Sequence, residues 1–165
     1  GDAVYGCDEE TMETVVLNLL REKGMHLALA ESCTGGHVSD LITNIPGASD
    51  VFLESCVTYS NEAKIARLGV LPDTLKKFGA VSYQTAGEMA EGIRKTSGAD
   101  IGAAITGIAG PGGATNEKPV GLVYMAIAGS DGTETRELRL RGNRMRIKYG
   151  SALQMLNWIR LYLKK

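Results

Sequence analysis

Met25-His26-Leu27-Ala28-Leu29-Ala30 is an apolar run, and Glu31-Ser32-Cys33-Thr34-Gly35-Gly36 follows it directly, before a helical pattern that opens near His37. A buried strand thus empties through small hydroxyl-bearing residues into two glycines and a helix. Such a turn aims backbone N–H groups and a positive helix end at one spot, where an anion or a developing oxyanion is stabilised. It also delivers the Ser32 hydroxyl there. Glycines alone indicate phosphate binding, whereas a nucleophile beside an oxyanion site indicates acyl chemistry.

Working outward, strands and helices alternate. Asp8–Lys23 reads as a helix capped by Asp8, with Met12, Val15, Val16, Leu19 and Leu20 on one face and Gly24 as its stop. After the helix from Gly36 to Thr43, Asn44-Ile45-Pro46-Gly47 ends the pattern, and Ser49–Leu53 reads as a helical turn. Ser55–Tyr59 is β-prone, and Ser60 caps a helix through Leu68. Pro72 opens another helix that stops at Gly79, and Ser82 caps a longer one to Ser97 that buries Ala86, Met89, Ala90 and Ile93. Ile101–Ile105 is a continuous apolar strand of the kind found inside parallel sheets. A glycine-rich loop from Thr106 to Val120 leads to a strand over Gly121–Ala128, a turn at Ser130-Asp131-Gly132-Thr133 and an alternating strand near Thr135–Leu140. Asn143 caps a last helix to Leu163, with Ile147, Leu153, Leu156, Ile159 and Tyr162 expected inside. The fold expected is α/β: a single three-layer α/β/α domain over 1–165, its mixed, mostly parallel sheet ending in an antiparallel edge hairpin. Gly1–Cys7 reads as a loosely held arm.

Bulk properties narrow the function. Eighteen basic residues face nineteen acidic ones, net charge −1, which gives no electrostatic case for nucleic acid or a membrane surface. No apolar stretch approaches a membrane span and no signal peptide is visible. Three cysteines (Cys7, Cys33, Cys56) at unrelated spacings fit free thiols in a reducing cytoplasm. Two histidines, His26 inside the strand and His37 on the following helix, are too few and wrongly placed for most zinc sites. No metal or cofactor is expected.

Ser32 needs a base, because its hydroxyl is a weak nucleophile at neutral pH; without one it is simply a helix N-cap. Neither histidine is well placed, but lysine serves in Ser-Lys variants of the catalytic triad. Lys64 is the candidate, in Val57-Thr58-Tyr59-Ser60-Asn61-Glu62-Ala63-Lys64 at a strand-to-helix junction. Ser32, Tyr59 and Lys64 all fall at or just past strand carboxyl ends, where ligand sites of doubly wound sheets collect. The plain alternative for Lys64 is a solvated helix lysine, and for Tyr59 an aromatic at a strand end. Thr106-Gly107-Ile108-Ala109-Gly110-Pro111-Gly112-Gly113 is neither a P-loop nor a dinucleotide fingerprint, but its glycines suit an anion-holding nest. Arg144 and Arg146 open the last helix at its positive end, which an anionic ligand would explain. Cys33 ranks below Ser32 as nucleophile.

Several of these segments together resemble the CinA C-terminal domain family, the nicotinamide-nucleotide amidohydrolases. They are Ala30-Glu31-Ser32-Cys33-Thr34-Gly35-Gly36, Pro46-Gly47-Ala48-Ser49, Val57–Lys64, Gly79-Ala80-Val81-Ser82, Thr106–Gly113 and Lys118-Pro119-Val120-Gly121. The resemblance implies hydrolysis of the carboxamide of nicotinamide mononucleotide, a pyridine nucleotide, to nicotinate mononucleotide and ammonia. By motif position it makes Ser32 the nucleophile and Tyr59 and Lys64 its activating partners. Cys33, Thr34, Gly35 and Gly36 then supply oxyanion donors, while Thr106, Gly107, Gly110, Gly112, Gly113 and Arg144 line the substrate. The family pattern Gly-Asp-Arg stands here as Gly142-Asn143-Arg144. The resemblance further implies a homo-oligomer, and Gly1–Thr11 resembles the segment that joins this domain to an amino-terminal CinA domain, so that the chain is expected to be an excised or stand-alone version. A non-catalytic nucleotide- or partner-binding module is the alternative reading, and a magnesium-dependent phosphate-handling enzyme a weaker third, since no paired carboxylates are evident.

Overall fold

The middle strand, β1 (Leu27–Glu31), is buried along its whole length because it has a neighbour on each side and helices on both faces. A computed structural model describes residues 10–165. Its elements are α1 (Met12–Lys23), β1, α2 (His37–Thr43), a 3-10 turn (Ala48–Asp50), β2 (Phe52–Val57), α3 (Asn61–Leu68), α4 (Pro72–Phe78), α5 (Tyr83–Ser97), β3 (Ile101–Gly107), β4 (Leu122–Gly129), β5 (Gly132–Arg139) and α6 (Arg144–Leu163). The five strands lie in the order β2-β1-β3-β4-β5. β1 runs parallel to β2 and β3, and β4 and β5 form the antiparallel edge. This is the expected three-layer α/β/α domain.

Alternation along the strands sorts the core. Leu27, Leu29, Ile101, Ala103, Ile105, Val123, Met125 and Ile127 pack with α1, α2 and α6. Ala28, Ala30, Ala104, Ala126 and Ala128 turn the other way, against Met89, Ala90 and Ile93 of α5. Small residues on that face let α5 lie close to the sheet. A Cβ on Gly102 would stand 2.3 Å from the Ala90 carbonyl oxygen, so any side chain there would push α5 away.

Register matters most for function. Glu31 is level with Val57 on β2 and with Ile105 on β3. The next residues, Ser32 and Thr58, therefore leave the sheet together, beside Thr106 of β3, at the carboxyl ends of three adjacent parallel strands. The chain order reverses on either side of β1, which makes this end the topological switch point where doubly wound sheets hold ligands.

Local signals held at Gly24, Ser60, Pro72, Ser82 and Asn143, each at the cap or first turn expected. Others need correction. The described part of α1 begins at Met12 with Thr11 as its cap, and Asp8, Cys7 and the expected arm lie outside the described residues. Its fully buried positions are Val16, Leu17 and Leu20, so the buried stripe is rotated from the one expected. β1 begins two residues later than Met25, and His26 precedes it; the His26 N–H and Nδ1 both meet Asp100 Oδ2, at 2.8 and 3.2 Å. β2 spans Phe52–Val57, not Ser55–Tyr59, because its parallel partner β1 sets its length; Thr58 and Tyr59 lie beyond it. β3 continues to Gly107, where it still pairs with Val123 of β4. β5 starts at Gly132, opposite Gly129, leaving a two-residue turn at Ser130-Asp131. Leu153 is 50% exposed, since it lies on the face of α6 opposite Met155.

Candidate active site

The turn after β1 is built around a carboxylate. Glu31 is wholly buried, yet among the described residues it has no cationic partner. Its Oε1 accepts from Thr34 Oγ1 at 2.7 Å and from the Val38 N–H at 2.9 Å. Its Oε2 accepts from the Ser39 N–H at 3.0 Å and from Ser39 Oγ at 2.5 Å. The first-turn N–H groups of α2 are thereby satisfied from within the chain. This corrects two sequence expectations. Ser32 does not cap α2; Gly36 occupies that position at φ 95°. Nor does the positive end of α2 stand open to a ligand, because Glu31 fills it.

With the helix end closed, the Ser32 hydroxyl is free for another partner. Lys64 Nζ donates to Ser32 Oγ at 3.1 Å and to the Thr58 carbonyl oxygen at 2.6 Å. Two side chains 32 positions apart thus converge. Lys64 is only 1% exposed and Ser32 8%. The amine's hydrogen-bond partners are a hydroxyl and a carbonyl, both uncharged, so no ion pair offsets its desolvation. Burial accordingly draws the Lys64 pKa below the usual lysine range. The neighbouring thiol behaves oppositely: burial, first of all, pushes Cys33 up to about 12, so it stays a thiol at neutral pH. Of the two side chains, Ser32 is the one that hydrogen-bonds Lys64. The Thr58 hydroxyl is buried and has no hydrogen-bond partner.

Above this pair lies a cleft of about 250 Å³ bordered by Tyr59, Ala80–Val81, the loop from Thr106 to Gly113, and Arg144. Arg144 donates through Nη1 to the Gly110 carbonyl at 2.8 Å and through Nη2 to Tyr59 Oη at 3.1 Å. It pins the loop and orients the tyrosine at once. Gly110 and Gly113 take φ 78° and 86°, the left-handed conformation that glycine permits. Thr106 Oγ1 donates to the Ala80 carbonyl at 2.9 Å, fixing the cleft floor. The lining carries two basic side chains, Lys64 and Arg144, and no carboxylate, although the chain as a whole is slightly acidic.

Of the residues expected at the site, Ser32, Cys33, Tyr59, Lys64, Thr106, Gly107, Gly110, Gly112, Gly113 and Arg144 all line this cleft. Thr34, Gly35 and Gly36 do not. Thr34 is spent on Glu31, and the Gly35 N–H donates to the Ser32 carbonyl at 3.0 Å. Among the described residues no backbone bond uses the N–H of Cys33 or Thr34, the two that follow Ser32. Tyr59 is the second departure. Its hydroxyl meets Arg144, not Ser32 or Lys64, because the residue lies past the end of β2 and is 61% exposed while Lys64 points inward. His37 stacks on Tyr149 with ring centroids 4.4 Å apart, and neither it nor Arg146 lines the cleft. Glu31 and the Thr58 carbonyl went unread in the sequence. Their one signal was an acidic residue closing an apolar strand, which burial must satisfy with nearby donors.

A larger cavity, about 710 Å³, opens between α3 and α5 beside Ile65, Leu71, Glu88 and Lys95. It holds no paired nucleophile and base; Glu88 accepts from Thr74 Oγ1 at 2.6 Å and from the Leu71 N–H at 2.8 Å. Among the described residues no group of three His, Cys, Asp or Glu side chains could hold a metal ion, and no helix is long and apolar enough to cross a membrane.

The CinA C-terminal domain model matches residues 9–163 of this chain. The chain belongs to that family. It is 54% identical to a competence-damage inducible protein of Acetivibrio thermocellus, over 99% of this chain and 40% of the relative. It is 52% identical to a CinA-like protein of Kosmotoga olearia, over 97% of this chain and 39% of the relative. The chain therefore spans about two fifths of the length of the curated relatives it matches. Solved structures of similar size share the fold. The competence/damage inducible protein CihA of Agrobacterium tumefaciens superposes with a TM-score of 0.90 at 38% identity, covering 98% of this chain and 99% of the other. A CinA superfamily protein of Klebsiella pneumoniae gives 0.88 at 30% identity, covering 94% and 99%.

Proposed function

We propose that this CinA-type domain hydrolyses the carboxamide of a pyridine mononucleotide, nicotinamide mononucleotide, to nicotinate mononucleotide and ammonia. The single observation that carries the reading is the 3.1 Å contact between Ser32 Oγ and Lys64 Nζ, with the amine buried away from any carboxylate. A lysine held partly toward its neutral form accepts the serine proton as the oxygen attacks the amide carbon. The carbonyl oxygen becomes an oxyanion, for which the N–H of Cys33, a cleft-lining residue whose N–H takes part in no backbone–backbone bond among the described residues, is the candidate donor. Lys64 then returns the proton to the departing nitrogen, which leaves as ammonia. Water attacks the acyl-serine, Lys64 takes its proton, and Ser32 is released with its hydroxyl restored.

Arg144, in a lining with no carboxylate, supports an anionic substrate. Arg144 and the Gly110–Gly113 segment face the same opening as Ser32, which suits a phosphate carried some distance from the amide. Tyr59, held by Arg144, belongs in this reading to the substrate rim. Ammonia release from nicotinamide mononucleotide tests the proposal directly: it should occur with the wild-type chain and fall by at least about 10³-fold in Ser32→Ala.

A second reading has one observation in its favour, the two-fifths coverage of the longer relatives. In it the domain binds a nucleotide without turnover, as one part of a larger protein. Calorimetric binding of the mononucleotide with no product formed would select it.

A further inference from the structure

We propose that Glu31 is the positioning residue of the site: its carboxylate fixes the turn that holds Ser32 Oγ in register with Lys64 Nζ. The proposal rests on the amidohydrolase reading for its kinetic consequence, but its geometry stands independently. Residue 31 is tied to every part of the pair. Ser32 is its direct chain neighbour. Its side chain accepts four hydrogen bonds from Thr34, Val38 and Ser39, so the segment 32–37 is clamped at both ends. Its own carbonyl accepts from the Thr58 N–H at 3.0 Å, and the Thr58 carbonyl accepts from Lys64 Nζ at 2.6 Å. Nucleophile and base are thus both referenced to one residue, by separate routes.

The carboxylate is well beyond what helix capping requires. α2 has seven residues, and an ordinary Ser or Asn cap would serve its first turn, as Ser60, Ser82 and Asn143 do for α3, α5 and α6, each accepting from one N–H. Here the acceptor is instead a fully buried charge at the end of the central strand, five residues before the cap position. That arrangement makes the backbone of 32–36 the rigid span of a closed ring. Glu31 touches neither the cleft nor Lys64, so it acts through Ser32 and Thr58 and not on substrate.

Glu31→Gln tests this. The amide can satisfy one of the two N–H groups but presents its own NH₂ to the other, so the clamp opens without loss of volume. The expected result is a kcat reduced about 100-fold, the scale of a misplacement near 1 Å, with KM changed less than about threefold. A crystal structure of the variant should show Ser32 Oγ and Lys64 Nζ separated beyond hydrogen-bond reach, about 3.5 Å. Thr11→Ala serves as a destabilised comparison: it removes the α1 cap far from the cleft and should leave kcat unchanged. If Glu31→Gln fails to fold, Ser39→Ala removes the 2.5 Å hydroxyl donor to Glu31, together with a 2.6 Å contact to Ser55 Oγ on β2, and should lower kcat in the same direction by about threefold. An unchanged Ser32–Lys64 distance overturns the proposal, as does a loss of kcat no greater than that of Thr11→Ala. If Ser32→Ala turns over normally, the amidohydrolase reading falls instead, and the crystallographic distance still decides the role of Glu31.

Discussion

Two glycine-rich turns meet across the cleft, and they are built in opposite ways. The turn after β1, Ser32–Gly36, is held by a buried carboxylate and a buried lysine, and Ser32, Cys33 and Thr34 are buried. The loop after β3 is open. Residues 111–117 are exposed, and long cationic side chains tether the loop from outside, Arg144 at Gly110 and Lys118 at the Phe78 carbonyl. Reacting atoms need placement to a fraction of an ångström, which buried, fully bonded backbone supplies; a surface that meets a variable, hydrated part of a ligand needs adjustable contacts. The proposed function accordingly assigns chemistry to the first turn and recognition to the second.

The sharpest way to break this contrast is at the rigid turn. Ser32→Ala and Lys64→Met should each cost at least about 10³-fold in kcat. Normal turnover in either, measured by ammonia release, removes the buried turn from the chemistry. Lys64→Met should also raise stability by about 1 kcal/mol at neutral pH, because a buried amine without a charged partner is replaced by an apolar chain of similar length. Chemical denaturation of the two proteins reads this out, and a clearly destabilised variant contradicts it.

The same lysine sets the pH response. Its pKa is lowered in the folded chain, chiefly by burial, and in the proposed reaction the neutral amine is the working form. kcat/KM should therefore rise with pH through that lowered value and level off below the ordinary lysine range near about 10.4. Stability follows the same sign: the cost of the buried charge is fully present below the folded pKa and is relieved as pH rises toward the unfolded one. A profile flat from about pH 6 to 10 would dissociate Lys64 from the rate.

At the open loop the effects should shrink and change kind. Arg144→Gln should raise KM for the mononucleotide about tenfold while kcat stays within about threefold, since it removes binding and a loop tether but no reacting atom. A kcat loss matching that of Lys64→Met would erase the division of labour. Lys118→Met, which only loosens the outer tether, should shift KM by less than about threefold and stability by less than about 0.5 kcal/mol. Steady-state kinetics and a melting curve measure both.

How far the sequence reached follows from what each feature depends on. Caps and stops at Gly24, Ser60, Pro72, Ser82 and Asn143 were legible because each acts within a turn of its own position. β3 and β4 were legible as strands because burial on both faces leaves a continuous apolar run. Ser32 stood out for the same local reason, a strand breaking into hydroxyls and glycines. Strand ends fared worse at β2, where pairing with β1 and not local composition decides the span. Leu153 misled because an apolar residue at helical spacing need not fall on the inward stripe.

The sequence by itself determined the alternation of strands and helices, the short turns between them and a serine at a strand's carboxyl end, all through interactions spanning a few residues. Only the tertiary structure decided that Lys64 reaches Ser32, that Glu31 closes the α2 terminus and that Arg144 takes the Tyr59 hydroxyl. Each of those depends on three strand ends being level and on what surrounds a buried charge, and neither is encoded in any one stretch of chain.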